Sequence, residues 1–407
     1  KCTVEMYDAL RIHFNGEYPT KIIGERRPNE SEHSQKYREK TYKPKTKIIC
    51  SRVLNSLSKI RRSPDWVIKF PSEVNAIPEN ESPEKYINQD FPFFASLTTW
   101  LFAICLKNYL IDPNAVCVVI PLNNPEAGSN DYVQPFPIIF NSNQVLDYME
   151  KHYAVLQSTE KSTYKDTVSG KTFYDGKVVL VINEMQYIRY EQVNLQGRME
   201  AAYIYNHNMG EVPAFKLRAQ FCHNMDKMVI WESRISSMLP ELDEYVGMYS
   251  DLSAQVVQHV YSEKWTWGMN DQCQSCMGTG YEGDNTSIPC SVCHGEKRVK
   301  VGPYQITNVS PTNKNLGQQD APIPPLGYVA KDSVAEMTKL LDEMLDKTAS
   351  KALSAINMEF LDKVPLAQSG IAKNVDRDEA NNSVHAICED IVSIADNICY
   401  FIFEYRY

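Results

Sequence analysis

Residues 172–183 read TFYDGKVVLVIN, two runs of strand-forming residues on either side of Asp175-Gly176. An Asp-Gly pair in that position predicts a tight hairpin, because the favoured two-residue turn needs positive φ at its centre. The next stretches, MQYIRYEQV (185–193) and MEAAYIYNHN (199–208), carry the pattern on, and EVPAFKL (211–217) closes it. Residues 172 to 219 are therefore expected to form an antiparallel meander.

Upstream, the sequence runs HSQKYREKTYKPKTKIICSRVLNSLSKIRRSPDWVIKF over 33–70. It reads as a basic arm, then a helix with Ile48, Val53, Leu54 and Leu57 on one face, then a strand after the Ser63-Pro64 break. PSEVNAIPENESPEKYINQDFP (71–92) is a Pro- and acid-rich loop. FFASLTTWLFAICL (93–106) is too short for ~30 Å of hydrocarbon and reads as a buried core helix around Trp100, with no membrane contact. AVCVVIPL (115–122) follows an Asp112-Pro113 turn and reads as a strand.

Downstream, the period becomes helical. Ile235, Leu239, Leu242, Val246 and Tyr249 are spaced as one face of a helix over 231–262, with Pro240 as a kink or break. Over 333–361, Met337, Leu340, Leu341, Met344 and Leu345 share a face, and Ser333 stands three residues before Glu336 as in a capping box. The pattern is interrupted at Pro365 and Gly370, so a loop and a restart near Asp376 are expected, with Asp376 or Asp378 as the cap.

The net charge of −9 hides an asymmetry: residues 1–70 hold 16 Lys and Arg against 8 Asp and Glu, leaving 26 against 43 for the rest. A basic arm on an acidic body points to a polyanionic partner, such as DNA or an acidic neighbouring subunit, or to an ordinary solvated surface. No secretory signal is visible, and the start at Lys1 leads us to expect a piece of a longer protein. Eleven cysteines, seven of them isolated, fit a reducing compartment with thiols as small core residues.

The other four stand in CQSCMGTGYEGDNTSIPCSVCHGEK (273–297). Two Cys-x-x-Cys knuckles, Cys273/Cys276 and Cys290/Cys293, give four thiolates for a tetrahedral Zn2+. A filled shell leaves no position for water or substrate, which makes the site structural. Gly278, Gly280 and Gly295 suit the tight turns that aim backbone N–H groups at the sulfurs. Haem attachment through Cys290-Ser-Val-Cys293-His294 would leave the first knuckle unexplained, and a redox dithiol would leave two matched knuckles unexplained. No phosphate-cradling glycine loop, G-x-S-x-G or H-E-x-x-H is present, and no pair of carboxylates stands out as catalytic, so the chain is expected not to be an enzyme. His207 and His223, near Cys222, form at most a second metal site and read better as ordinary histidines.

The C-x-x-C-x-G-x-G pattern of 273–280 resembles the zinc region of Hsp40-type (DnaJ) co-chaperones, though with two knuckles and no His-Pro-Asp tripeptide. The order of elements, with YSDLSAQVVQHV (249–260) in one long helix and QSGIAKNVDRDEANNSVHAICEDIVSIADNI (368–398) after a second, resembles the portal protein of tailed bacteriophages. That resemblance implies an α+β, portal-like fold with an antiparallel β-meander wing, two long stem helices, a zinc-stapled clip and a helical crown-ward end. Residues 1–230 would be the wing, 231–262 the first stem helix, 263–330 the clip, 331–353 the second stem helix, 354–375 the channel (tunnel) loop region, and 376–407 the start of the crown. It further implies a ring homo-oligomer of about twelve copies at one capsid vertex of the virion, assembled in the host cytoplasm. Its partners would be terminase, the major capsid protein, an adaptor or neck protein, and the double-stranded DNA passing through. Asp362, Lys363, Gln368, Lys339, Asp342 and Asp346 would face the channel, whose acidic walls let DNA slide because few cations hold phosphates. The basic arm would face neighbouring subunits or the capsid. The alternatives are a zinc-dependent nucleic-acid-binding protein using Lys297, Arg298 and Lys300, and a DnaJ-like co-chaperone.

Overall fold

The computed structural model describes residues 2–27, 30, 32–62, 66–70, 82–123, 133–165, 171–225, 228–259, 264–267, 273, 275–282, 285–293, 295, 297, 306–309, 326–328, 332–362 and 370–406. The protein is mixed α+β with mostly antiparallel sheets. It divides into two compact units: Lys1–Gly16, Lys47–Leu239 and Leu353–Tyr407 form the first, Glu17–Thr46 and Pro240–Ala352 the second.

Helices α1 (Cys2–Asn15), α2 (Thr20–Ile23), α3 (Glu32–Thr41) and α4 (Thr46–Leu57) open the chain, and a 3-10 turn at Ser58–Arg62 extends α4. Thr46, Ile49, Cys50, Val53 and Leu57 form the buried face of α4, whereas Ile48 is exposed, one turn position away from the face expected for it. No strand follows: residues 66–70 are irregular. Helix α5 (Pro83–Asn88) precedes one continuous helical segment built of α6 (Leu97–Trp100), a π-helical turn (Leu101–Cys105) and α7 (Leu106–Ile111). Ser96 caps it by accepting the Thr99 N–H at 3.2 Å. Leu97, Trp100, Leu101, Phe102, Cys105 and Leu106 are all buried, as expected of a core helix.

Strands β1 (Val116–Pro121) and β2 (Pro135–Phe140) pair antiparallel, and β8 (Ala214–Lys216) adds to the other side of β1. A buried Asp112 fixes the turn before β1, accepting from Ser142 N–H (2.5 Å), Ser142 Oγ (2.7 Å) and Asn114 N–H (3.2 Å). Burial raises its pKa and these donors oppose the shift. The second sheet is a five-stranded meander in sequential order: β3 (Val145–Met149), β4 (Tyr153–Lys165), β5 (Thr172–Asn183), β6 (Gln186–Gln192) and β7 (Met199–Asn206). It begins two strands earlier than the sequence suggested, and AFKL leaves it to join β1. Val116, Val118 and Ile120 share one apolar core with Leu156, Val178, Leu180 and Ile182.

Asp175-Gly176 is not a hairpin turn; β5 runs straight through it, and Gly176 pairs with Ser162 beside a register shift. A Cβ at 176 would lie 2.2 Å from Ser162 Oγ, so the glycine serves close strand approach next to a bulge rather than a turn. Strands β9 (Gln220–Met225) and β10 (Met228–Glu232) form a separate ladder, which places Trp231 and Glu232 in a strand and not in the following helix. A 3-10 turn (Ser236–Met238) leads into α8 (Leu239–His259). Pro240 stands in its first turn, where the missing N–H has no intrahelical acceptor, so it starts this helix and does not kink it.

In the second unit, β11 (Lys264–Trp267) pairs parallel with β14 (Ile306–Val309) and antiparallel with β15 (Leu326–Tyr328). Strands β12 (Tyr281–Glu282) and β13 (Asn285–Pro289) form a hairpin between the cysteine knuckles. Helix α9 (Asp332–Ser354) follows, then a 3-10 turn (Glu359–Leu361), then the 37-residue α10 (Gly370–Arg406). Helix α10 starts at Gly370, not near Asp376. Its C-terminal half buries Ile387, Ile391, Ile394, Ile398 and Ile402 at helical spacing in the first unit. No described helix is long and apolar enough to cross a membrane.

Candidate metal centre

The hairpin β12–β13 sets the two knuckles facing each other. Each knuckle's first cysteine donates its N–H to the last residue of the other: Cys273 N–H to Lys297 O at 3.0 Å, and Cys290 N–H to Gly280 O at 2.9 Å. This near-twofold exchange explains why the glycines matter. Gly278, Gly280 and Gly295 have φ of 82°, 87° and 90°, and a Cβ on Gly280 would lie 2.8 Å from Gly295 O. Lys297, at the place in the second knuckle that Gly280 holds in the first, adopts φ 64° without being glycine.

Cys273, Cys276, Cys290 and Cys293 are all buried, and their sulfurs lie within 4.8 Å of one another. Cys273 Sγ is 3.9 Å from Cys290 Sγ, and Cys276 Sγ is 3.5 Å from Cys293 Sγ. Four sulfurs ~2.3 Å from one tetrahedral ion would be about 3.8 Å apart, whereas a disulfide needs ~2.05 Å, so the spacing fits a shared cation and not a bond.

Backbone donors complete the cradle, with Gly280 N–H 3.3 Å from Cys276 Sγ. Cover from solvent works against the Cys276 thiolate, but the N–H groups of Gly280 and Gly278 and the thiols of Cys293 and Cys273 bring its pKa down to about 6. The N–H groups of Cys293 and Val292 lower Cys290, while cover from solvent pushes Cys293 up to about 11. Cys293 thus keeps at neutral pH a proton that a divalent cation would displace. With four sulfurs this close together, the site can bind a metal such as zinc, and four thiolates would fill a tetrahedral shell with no ligand position left for substrate.

The other singled-out residues are not gathered into a site. Lys339, Asp342 and Asp346 lie exposed on one face of α9, and Lys339 reaches Glu343 at 3.9 Å. Asp362 is half-buried after the 3-10 turn, its N–H donating to Glu359 O; Lys363 and Gln368 lie outside the described residues, as do Arg298 and Lys300. On the expected apolar face of α9 only Leu345 is buried and Leu341 partly so, while Met337, Leu340 and Met344 are exposed.

His207 belongs to no metal cluster among the described residues. Its Nε2 faces Asn183 O at 3.0 Å and its Nδ1 accepts the Met209 N–H at 3.3 Å, which fixes the neutral ring. Burial lowers its pKa further. Cys222 is exposed, and the side chain of His223 lies outside the described residues. Sequence reasoning missed Lys297 as a left-handed residue, although its alignment with Gly280 across the two knuckles signals that role. No protein-family model matches the chain, and neither does any curated protein.

Proposed function

We propose that the chain is a ring-forming portal subunit of a tailed-virus capsid: a non-enzymatic conduit for double-stranded DNA whose clip is held by one structural Zn2+. The observation that carries this reading is helix α9. Met337 and Leu340 are 59 and 55% exposed, Met344 joins them, and the acidic pair Asp342 and Asp346 occupies another flank of the same helix. A single chain leaves that apolar stripe in water, and a neighbouring copy would cover it while the acidic flank stays solvated. Two long helices, α8 and α9, bracketing the metal segment also suit a stem and its clip. The metal fits because a short excursion between two helices has little core, and an ion staples it without oxidising conditions. In the complete virus, terminase, the major capsid protein and an adaptor would be the partners.

Electron microscopy of the purified chain tests the reading. It should show closed rings with a central opening, and Leu340→Asp with Met344→Asp should convert them to single copies. Parent protein that stays monomeric at micromolar concentration contradicts it.

A further inference from the structure

The 23 residues from Lys40 to Arg62 hold eight Lys and Arg and not one Asp or Glu. The fold puts most of this charge on one surface. Helix α4 spends its apolar face on the core through Ile49, Cys50, Val53 and Leu57, so the opposite face is turned outward. That outer face carries Lys47, Ser51, Arg52 and Asn55, with Ile48 as its apolar member, and the 3-10 turn after it carries Lys59, Arg61 and Arg62. Lys47, Asn55, Lys59, Arg61 and Arg62 are exposed, and none of the five cations Lys47, Arg52, Lys59, Arg61 and Arg62 has a carboxylate partner among the described residues.

Unpaired cations at this density repel one another unless something neutralises them. Just upstream, charges are paired: Arg38 is held by Glu30 at 2.9 Å, and Lys36 by Glu32 at 2.6 Å. The α4 surface is different: from Lys40 to Arg62 the chain offers no carboxylate, and the next in sequence is Asp65.

We propose that the outer face of α4 and the turn after it form a contact surface for the phosphate backbone of duplex DNA. The 12-residue helix is roughly 18 Å long at 1.5 Å per residue. A duplex presents one charge per ~1.7 Å of axis, so that length faces about ten phosphates. Ser51 and Asn55 add neutral donors of the kind that position a backbone without reading sequence. Ile48 is the one exposed large apolar side chain on α4 and the turn after it, whereas an interface between proteins is built around an apolar core. A membrane surface is disfavoured because the apolar face that would insert is already used in the core. The inference rests on charge and burial in the first unit and does not depend on ring formation.

The test is binding of the full chain to a fluorescent 30-base-pair DNA duplex, measured by anisotropy between 50 and 300 mM KCl. Lys47→Gln, Lys59→Gln, Arg61→Gln and Arg62→Gln together should weaken binding at least about tenfold at 100 mM and flatten the slope of log K against log [salt] by about 3.6, since each lost phosphate contact removes ~0.9. The pair Arg61→Gln and Arg62→Gln should give roughly half that change, which keeps the test alive if the fourfold variant does not fold. Lys161→Gln, Lys165→Gln and Lys177→Gln, exposed on β4 and β5, should leave both quantities unchanged. Parent protein that does not bind, or variants with the parental slope, overturns the proposal. A variant that keeps its DNA affinity but changes sedimentation mass also overturns it and makes the surface a contact between copies.

Discussion

Lys297 shows what a single residue can and cannot announce. Two matched knuckles were legible from cysteine spacing alone, because four sulfurs around one ion impose a spacing that few other constraints imitate. The glycines at 278, 280 and 295 were legible for the same reason, and all three have positive φ. Lys297 breaks the pattern in sequence yet keeps it in space, at φ 64°, because its carbonyl must accept the Cys273 N–H. A left-handed residue with a Cβ costs ~1–2 kcal/mol, part of which glycine gives back in chain entropy, so Lys297→Gly should tighten metal retention by about fivefold. Competition with a colorimetric chelator measures this, and weaker retention would mean that the lysine side chain itself supports the site. His207 gives a pH prediction. Burial and the Met209 N–H hold its ring neutral in the fold, whereas an unfolded chain takes up a proton at ~6.5. The unfolded state therefore binds more protons below that pH, so stability is full above it and falls as the pH drops toward 5.5. The melting temperature by circular dichroism should show a smaller drop in His207→Gln than in the parent, and equal drops would assign the effect to other groups.

At the level of elements, the long apolar stretches were readable and their partners were not. Leu97 to Leu106 buries Leu97, Trp100, Leu101, Phe102, Cys105 and Leu106, and Val116 to Pro121 is buried throughout, because runs this apolar have little polar side to offer water. The Asp175-Gly176 pair misled because the same dipeptide that favours a turn also permits close approach inside a strand, and only the Ser162 contact separates the two. The stripe on α9 misled differently. Helical spacing identifies an apolar face but does not say that the chain itself covers it, and here Leu345 is covered while Met337 and Leu340 are not. Orientation of α9 can be read by thiol labelling followed by peptide mass spectrometry. Asp342→Cys should react at least about tenfold faster than Leu345→Cys, on the order expected when opening the buried site costs 1.4 kcal/mol or more. The reverse order would turn the helix around.

For the whole molecule, the order of elements carried more information than any motif. A mixed α+β chain with a meander and two long helices around a metal segment was visible from hydrophobic period and cysteine spacing, whereas the period gave only a restart near Asp376 for what is a 37-residue third helix. The division into two units was not, since residues 17–46 join 240–352 only through the folded chain. There Arg27 pairs with Asp251 and Lys45 lies 5.4 Å over the Tyr249 ring, contacts across some 200 residues that no local pattern announces. Nor does the sequence display how many copies the proposed ring would hold, because the surface that would join them is legible only as an uncovered stripe. Native mass spectrometry of the purified full chain measures copy number and metal together. A ring-sized assembly of identical chains, each heavier by one zinc ion, is the expected spectrum; a monomer, or a ring whose chains carry no metal, would contradict a zinc-stapled portal.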